Sequence, residues 1–134
     1  MITTGFAQGE LRRLREAAIA ACANAYAPYS NFRVGAACIS ASGKIFTGVN
    51  VENASYGLTV CAERNAVFQA VAAGERDIVA IAIYTPTATP TTPCGACRQV
   101  LSEFGKDIAI VCCCDGPDVH EFTIAQLLPH GFRL

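Results

Sequence analysis

Asp77-Ile78-Val79-Ala80-Ile81-Ala82-Ile83-Tyr84 is apolar almost throughout. Its length suits a strand, and apolar side chains on both of a strand's faces require cover on both. The stretch predicts a central strand in a sheet sandwiched between helices. Just before it, Thr59 is a candidate N-cap and Cys61 to Ala73 has helical spacing. Ala62, Ala66, Val67, Ala70 and Val71 form the inner face, and Gly74 ends the helix. Just after it, Thr85 to Pro93 is a Thr/Pro-rich loop without periodicity, which says little about ligands. Cys94 to Phe104 then reads as a helix stopped by Gly105, and Ile108 to Cys113 as another apolar strand.

Working outward, residues 8–26 predict a helix with Leu11, Leu14, Ala17, Ala18, Ala21, Cys22 and Ala25 on one stripe. Pro28 disfavours helix just before it. Phe32 to Ser40 and Lys44 to Asn50 predict a hairpin about Ala41-Ser42-Gly43. Ala54 to Leu58 reads as a loop. Val119 to Thr123 predicts a short strand, and residues 123–128 a short helix closed by Pro129. The fold class is α/β: a three-layer α-β-α sandwich with a mixed sheet of about five strands, in a single domain over residues 1–134.

Composition narrows the function. A net charge of −1 and the absence of any Lys/Arg block argue against binding nucleic acid or a membrane surface. No apolar run reaches the roughly 18 residues of a membrane span. The chain is 52% hydrophobic and only 16% charged, an excess that favours burial against copies of itself. Met1 to Phe6 lacks the basic start and apolar core of a secretory leader, so a cytoplasmic protein is expected. In that compartment eight cysteines are thiols or metal ligands rather than a disulfide framework.

Two cysteine segments carry the chemistry. Cys61-Ala62-Glu63-Arg64 opens one predicted helix, and Pro93-Cys94-Gly95-Ala96-Cys97-Arg98 opens the next, 33 positions on. A helix N-terminus presents unpaired N–H groups and positive potential, which favour a thiolate. Cys94 and Cys97, three apart, reach one ion, and Cys61 makes a third ligand. Three protein ligands leave a tetrahedral zinc with one open position, as in catalytic sites. Glu63 stands beside the ligands as a carboxylate able to carry protons. Arg64 and Arg98 adjoin the ligands and can offset thiolate charge through hydrogen bonds to sulfur, or can be surface charge. Three other readings stay open: a Cys94/Cys97 redox pair, a structural four-cysteine site completed from Cys112-Cys113-Cys114, and core thiols throughout. Alternation points Cys113 away from its two neighbours. Asn50-Val51-Glu52-Asn53 fits ligand contact and turn chemistry equally.

Cys61-Ala-Glu-Arg followed by Pro93-Cys-Gly-Ala-Cys-Arg-Gln resembles the signature of zinc-dependent cytidine deaminases. Tyr26 to Ala37, Gly48 to Tyr56 and Leu127-Leu-Pro129 resemble the small homotetrameric members, and the likeness runs over roughly residues 10–134. It implies a cytidine deaminase-like fold and one Zn²⁺ per subunit on Cys61, Cys94 and Cys97. Glu63 would be the proton shuttle and Arg64 would temper the thiolate charge. Asn50 and Glu52 would bind the ribose 3′-hydroxyl, Phe32 would pack on the pyrimidine, and backbone near Ala62 would fix the base edge. Tyr56 and Phe132 match positions that reach neighbouring active sites in the tetramer. Cysteine rather than histidine at position 61 argues against deaminases of cytosine in nucleic acid or adenosine in tRNA. The implied reaction is hydrolysis of the small-molecule nucleosides cytidine and 2′-deoxycytidine to uridine and 2′-deoxyuridine, in pyrimidine salvage. In it, zinc-bound hydroxide attacks C4 and Glu63 moves the protons. The competing functions are a blasticidin S-type aminonucleoside deaminase and a non-catalytic structural-zinc module. The Cys112–Cys114 run belongs to no family pattern.

Overall fold

The computed structural model describes residues 8–134; the leader-free reading of Met1 to Phe6 lies outside them. The elements are α1 (Gln8–Cys22), β1 (Gly35–Ser40), β2 (Ile45–Val49), a 3₁₀ turn (Tyr56–Leu58), α2 (Ala62–Ala72) and β3 (Ile78–Thr85). After them come α3 (Gly95–Glu103), β4 (Ala109–Cys114), β5 (His120–Thr123) and α4 (Ile124–Leu127). The five strands lie in the order β2-β1-β3-β4-β5. β3 and β4 are parallel and α3 connects them, while every other pairing is antiparallel.

The apolar stretch that begins at Ile78 is the middle strand, with Ala82 opposite Ala37 on one side and Val111 on the other. Successive side chains point to opposite faces and feed two cores. On one face Leu14, Ala18 and Cys22 of α1 pack on Ala37, Ala80, Ala82 and Cys113. On the other, Ala66 and Val67 of α2, Leu101 of α3 and Ile124 of α4 pack on Cys38, Ile81, Ile110 and Cys112. Three layers result, with Cys112 and Cys113 on opposite sides of the sheet. Gly35 lets α1 sit close: a β-carbon there would stand 2.1 Å from the Ala18 carbonyl oxygen.

Four local readings change. The first helix stops at Cys22 instead of running to residue 26. Tyr26 is held from outside, its N–H donating to the Asn50 carbonyl at 3.0 Å and its carbonyl accepting from Glu52 N–H at 2.9 Å. The first strand begins at Gly35 rather than Phe32, because side chains from residues 50 and 52 take the polar groups of residues 29–34. The loop over 54–58 contains the 3₁₀ turn. Thr59 does not cap α2: its hydroxyl accepts the Asn53 N–H at 3.1 Å, and Cys61 is the N-cap residue.

Candidate active site

Cys61 and Cys94 are the N-cap residues of α2 and α3, both with extended backbone and neither using its sulfur as a cap. Their thiols are free to converge, and Cys97 joins them from the first turn of α3. α2 is fixed against β2 by Gly48 and by Asn65, whose Nδ2 donates to the Val49 carbonyl at 2.8 Å. Both helix starts lie at the carboxyl end of β3, where open α/β sheets place their ligand crevices.

The three sulfurs lie within 4.8 Å of one another. Cys61 Sγ is 3.8 Å from Cys94 Sγ, which is 3.5 Å from Cys97 Sγ. Tetrahedral zinc with Zn–S bonds of about 2.3 Å sets its sulfurs about 3.8 Å apart, so the trio fits that ion. Among the described residues no fourth thiol joins it. Cys112 and Cys113 are buried in β4, and Cys114 Sγ faces the carbonyls of Ala88, Gly116 and Asp118.

Arg64 Nη2 donates to Cys61 Sγ at 3.4 Å. Hydrogen bonds from Cys97 and then Arg64 pull the Cys61 pKa down to about 5. Cys97, which gives its hydrogen bond to that sulfur and is itself buried, is pushed up. Of these two thiols, Cys61 is the one whose thiolate its surroundings favour. Glu63 is 6% exposed, and burial, aided by the Cys61 charge, raises its pKa to about 7. Burial likewise pushes Cys112 up to about 12, leaving it an unreactive core thiol.

Cys61, Ala62, Glu63 and Cys94 open onto a cavity of about 180 Å³ whose other walls include Phe32, Asn50 and Ile83. Four threonines, Thr59, Thr85, Thr91 and Thr92, also line it. The Thr/Pro-rich loop, which carries no periodic signal, thus forms part of the pocket wall. A buried carboxyl raised toward neutrality, beside a cysteine trio of zinc geometry, has the chemistry to gain and lose a proton next to a bound metal.

A family model described as the cytidine and deoxycytidylate deaminase zinc-binding region matches residues 9–114. The chain belongs to this deaminase family. It is 49% identical over 116 residues to the cytidine deaminase of Halalkalibacterium halodurans, covering 86% of this chain and 88% of that one. The crystal structure of cytidine deaminase from Burkholderia pseudomallei superposes with a TM-score of 0.86 at 52% identity, covering 90% of this chain and 98% of that one. For cytidine deaminase from Mycobacterium tuberculosis the values are 0.81 and 42%, over 92% and 98%.

Other residues singled out in the deaminase motifs take varied positions. Phe32, 39% exposed, stands in the cavity wall. Asn50 also lines it, but both ends of its amide are engaged: Oδ1 accepts the Val34 N–H at 2.9 Å and Nδ2 donates to the Phe32 carbonyl at 2.7 Å. Glu52 lies in an adjoining cleft of about 400 Å³ with Tyr29, Ser30, Asn53, Tyr56 and Thr59. Thr59 borders both spaces. Tyr56 and Phe132 are 78% and 69% exposed, and Phe132 lies away from the cavity beside Ser102 and Leu128. Arg98 is a correction: it reaches no sulfur. Its Nε donates to the Pro93 carbonyl at 2.7 Å, Nη1 to the Leu127 carbonyl at 3.2 Å and Nη2 to Thr92 Oγ1 at 3.3 Å. It braces the backbone that leads into Cys94. Ser30 and Gly48 carry no local signal of a role beyond their places in the family-like segments, and Asn65, just past Arg64, carries none.

Proposed function

We propose that the chain catalyses hydrolytic deamination of cytidine and 2′-deoxycytidine to uridine and 2′-deoxyuridine, releasing ammonia. The observation that carries this is the buried Glu63 carboxyl on the same 180 Å³ cavity as the Cys61, Cys94 and Cys97 sulfurs. The names of the relatives support the substrate class.

Cys61, Cys94 and Cys97 hold Zn²⁺, which supplies a Lewis acid that makes water acidic near neutral pH. Glu63 accepts one proton of the attacking water and delivers it to N3 of the pyrimidine; it then takes the proton of the new C4 hydroxyl and passes it to the 4-amino group, which leaves as ammonia as the C4 carbonyl forms. Its burial, which raises its pKa, favours holding a proton between the two transfers. Burial keeps bulk water from competing for that proton. Phe32 packs on the ring, and backbone at Ala62 orients the base edge. Asn50 and Glu52 serve the sugar 3′-hydroxyl, with Asn50 also setting Phe32 through its carbonyl. Arg64 offsets the thiolate charge.

The enzyme acts in pyrimidine salvage in the cytoplasm as a homotetramer with shared active sites. Exposed Tyr26, Tyr29, Val51, Tyr56 and Leu58 provide an apolar surface beside the pocket for a neighbouring subunit, and exposed Phe132 reaches outward from another face. A spectrophotometric assay with cytidine, deoxycytidine and blasticidin S tests the substrate. Turnover of the first two is expected. Turnover of blasticidin S alone, or of none with zinc bound, would overturn the reading. Light scattering tests assembly, and a monomer at micromolar concentration would contradict it.

A further inference from the structure

We infer that Ser30 is a positioning residue that sets sugar affinity, its one hydroxyl tying the Glu52 carboxylate to the backbone that carries Phe32. This rests on the proposed nucleoside reading of the cavity. Ser30 Oγ donates to Glu52 Oε2 and accepts the Phe32 N–H at 3.0 Å. The other carboxylate oxygen, Oε1, accepts the N–H groups of Tyr29 at 2.9 Å and Ser30 at 3.2 Å. Between Ser30 and Phe32 the chain turns through Asn31 at φ 59°, a left-handed conformation that Asn tolerates better than most residues. The short bridge across that turn holds Phe32 in the cavity wall.

The consequence is geometric. Glu52 faces the outer cleft and Phe32 the inner cavity, the two spaces meeting at Thr59. A ligand with its base against Phe32 and its sugar toward Glu52 depends on the offset between them. Ser30 is the side chain that bonds to both sides of that offset. Without its hydroxyl, the carboxylate loses a charge-assisted partner and the Phe32 N–H loses its acceptor. Substrate and transition state share the sugar and the ring, so the loss falls on binding rather than on the proton transfers at Glu63.

Steady-state kinetics of the zinc-loaded chain test this with Ser30→Ala, Ser30→Thr, and Ser30→Ala in a Glu52→Gln background. The Ser30→Ala change should raise KM for cytidine about tenfold, with kcat within about twofold and zinc content unchanged. Ser30→Thr, which keeps the hydroxyl at an exposed position, should return KM to within about threefold of the parent. Once Glu52 is Gln, Ser30→Ala should add less than about twofold. With 2′,3′-dideoxycytidine, which lacks the 3′-hydroxyl, the Ser30→Ala penalty should shrink. Unchanged KM for cytidine, failure of Thr to rescue, or full additivity with Glu52→Gln would each overturn the inference. If Ser30→Ala folds poorly, Ser30→Cys, which keeps the side chain's shape but hydrogen-bonds weakly, should raise KM in the same direction, and an unchanged KM would overturn the inference. Failure of the parent chain to deaminate cytidine would instead count against the proposed function.

Discussion

Gly48 of β2 lies against Ala66 of α2 with no room for a side chain: a β-carbon there would stand 2.3 Å from the Ala66 nitrogen and 2.5 Å from the Ala62 carbonyl oxygen. Both contacts are backbone, so the helix itself must move to admit one. α2 carries Glu63 and begins at Cys61, so the move would carry into the site. Gly48→Ala should destabilise the protein by about 3 kcal/mol and lower zinc content along with activity. Thermal melting and metal analysis of the purified variant check this. A variant with parent-like stability and full zinc would show that α2 is free to shift.

Cys97 is the fully buried member of the sulfur trio. Cys97→Ala leaves two thiols, too few to hold catalytic zinc with normal affinity. The expected outcome is bound zinc below about a tenth per chain after dialysis, measured by plasma emission. Retained stoichiometric zinc would mean that the ion sits elsewhere.

Arg64 tests the charge argument. Its guanidinium hydrogen-bonds the Cys61 sulfur, and the contact stabilises the thiolate. Outer contacts of this kind are worth about 10–100-fold in metal affinity or activity. Arg64→Gln should lower kcat/KM by about that factor while Arg98→Gln leaves the sulfur charge untouched. Competition for zinc with a chelator of known affinity reads the difference. Equal zinc affinity in Arg64→Gln and parent would remove the charge argument.

The layout was legible in the sequence wherever one residue's pattern decides the outcome. Unbroken apolar residues from Ile78 to Tyr84 leave no solvent face, so the central strand follows. Cysteines at two helix starts point to one ion because helix N-termini favour thiolates and three thiols make a zinc set with one open position. Contacts made only after folding were less legible. Arg98 adjoins Cys97 in sequence, yet its place on α3 aims it at the Pro93 and Leu127 carbonyls, and no spacing rule anticipates that. Thr59 has good cap chemistry but sits two residues too early, because the 3₁₀ turn shifts the start of α2 to Ala62. Thr85, Thr91 and Thr92 become pocket wall through tertiary placement alone.

Glu52 gives a pH prediction. The Ser30 hydrogen bond, with the Tyr29 and Ser30 N–H groups, holds its carboxyl below the ordinary value of 4.5. A depressed folded-state pKa contributes stability that is fully present above 4.5 and is lost as pH falls through the folded value. The Tm gap between the parent and Glu52→Gln should be constant from pH 8 to about 6 and narrow below about pH 4. A gap that widens on acidification would mean that the carboxyl bonds better when protonated.

The most direct test of the account is one preparation of Glu63→Gln, measured for zinc, folding and cytidine turnover together. The carboxyl is buried beside the trio without being one of its ligands. One zinc per chain, a parent-like circular dichroism spectrum and melting curve, and turnover lower by roughly 10²–10⁴-fold are expected. Parent-like turnover with zinc in place would contradict this, because the protons would then be moving without Glu63.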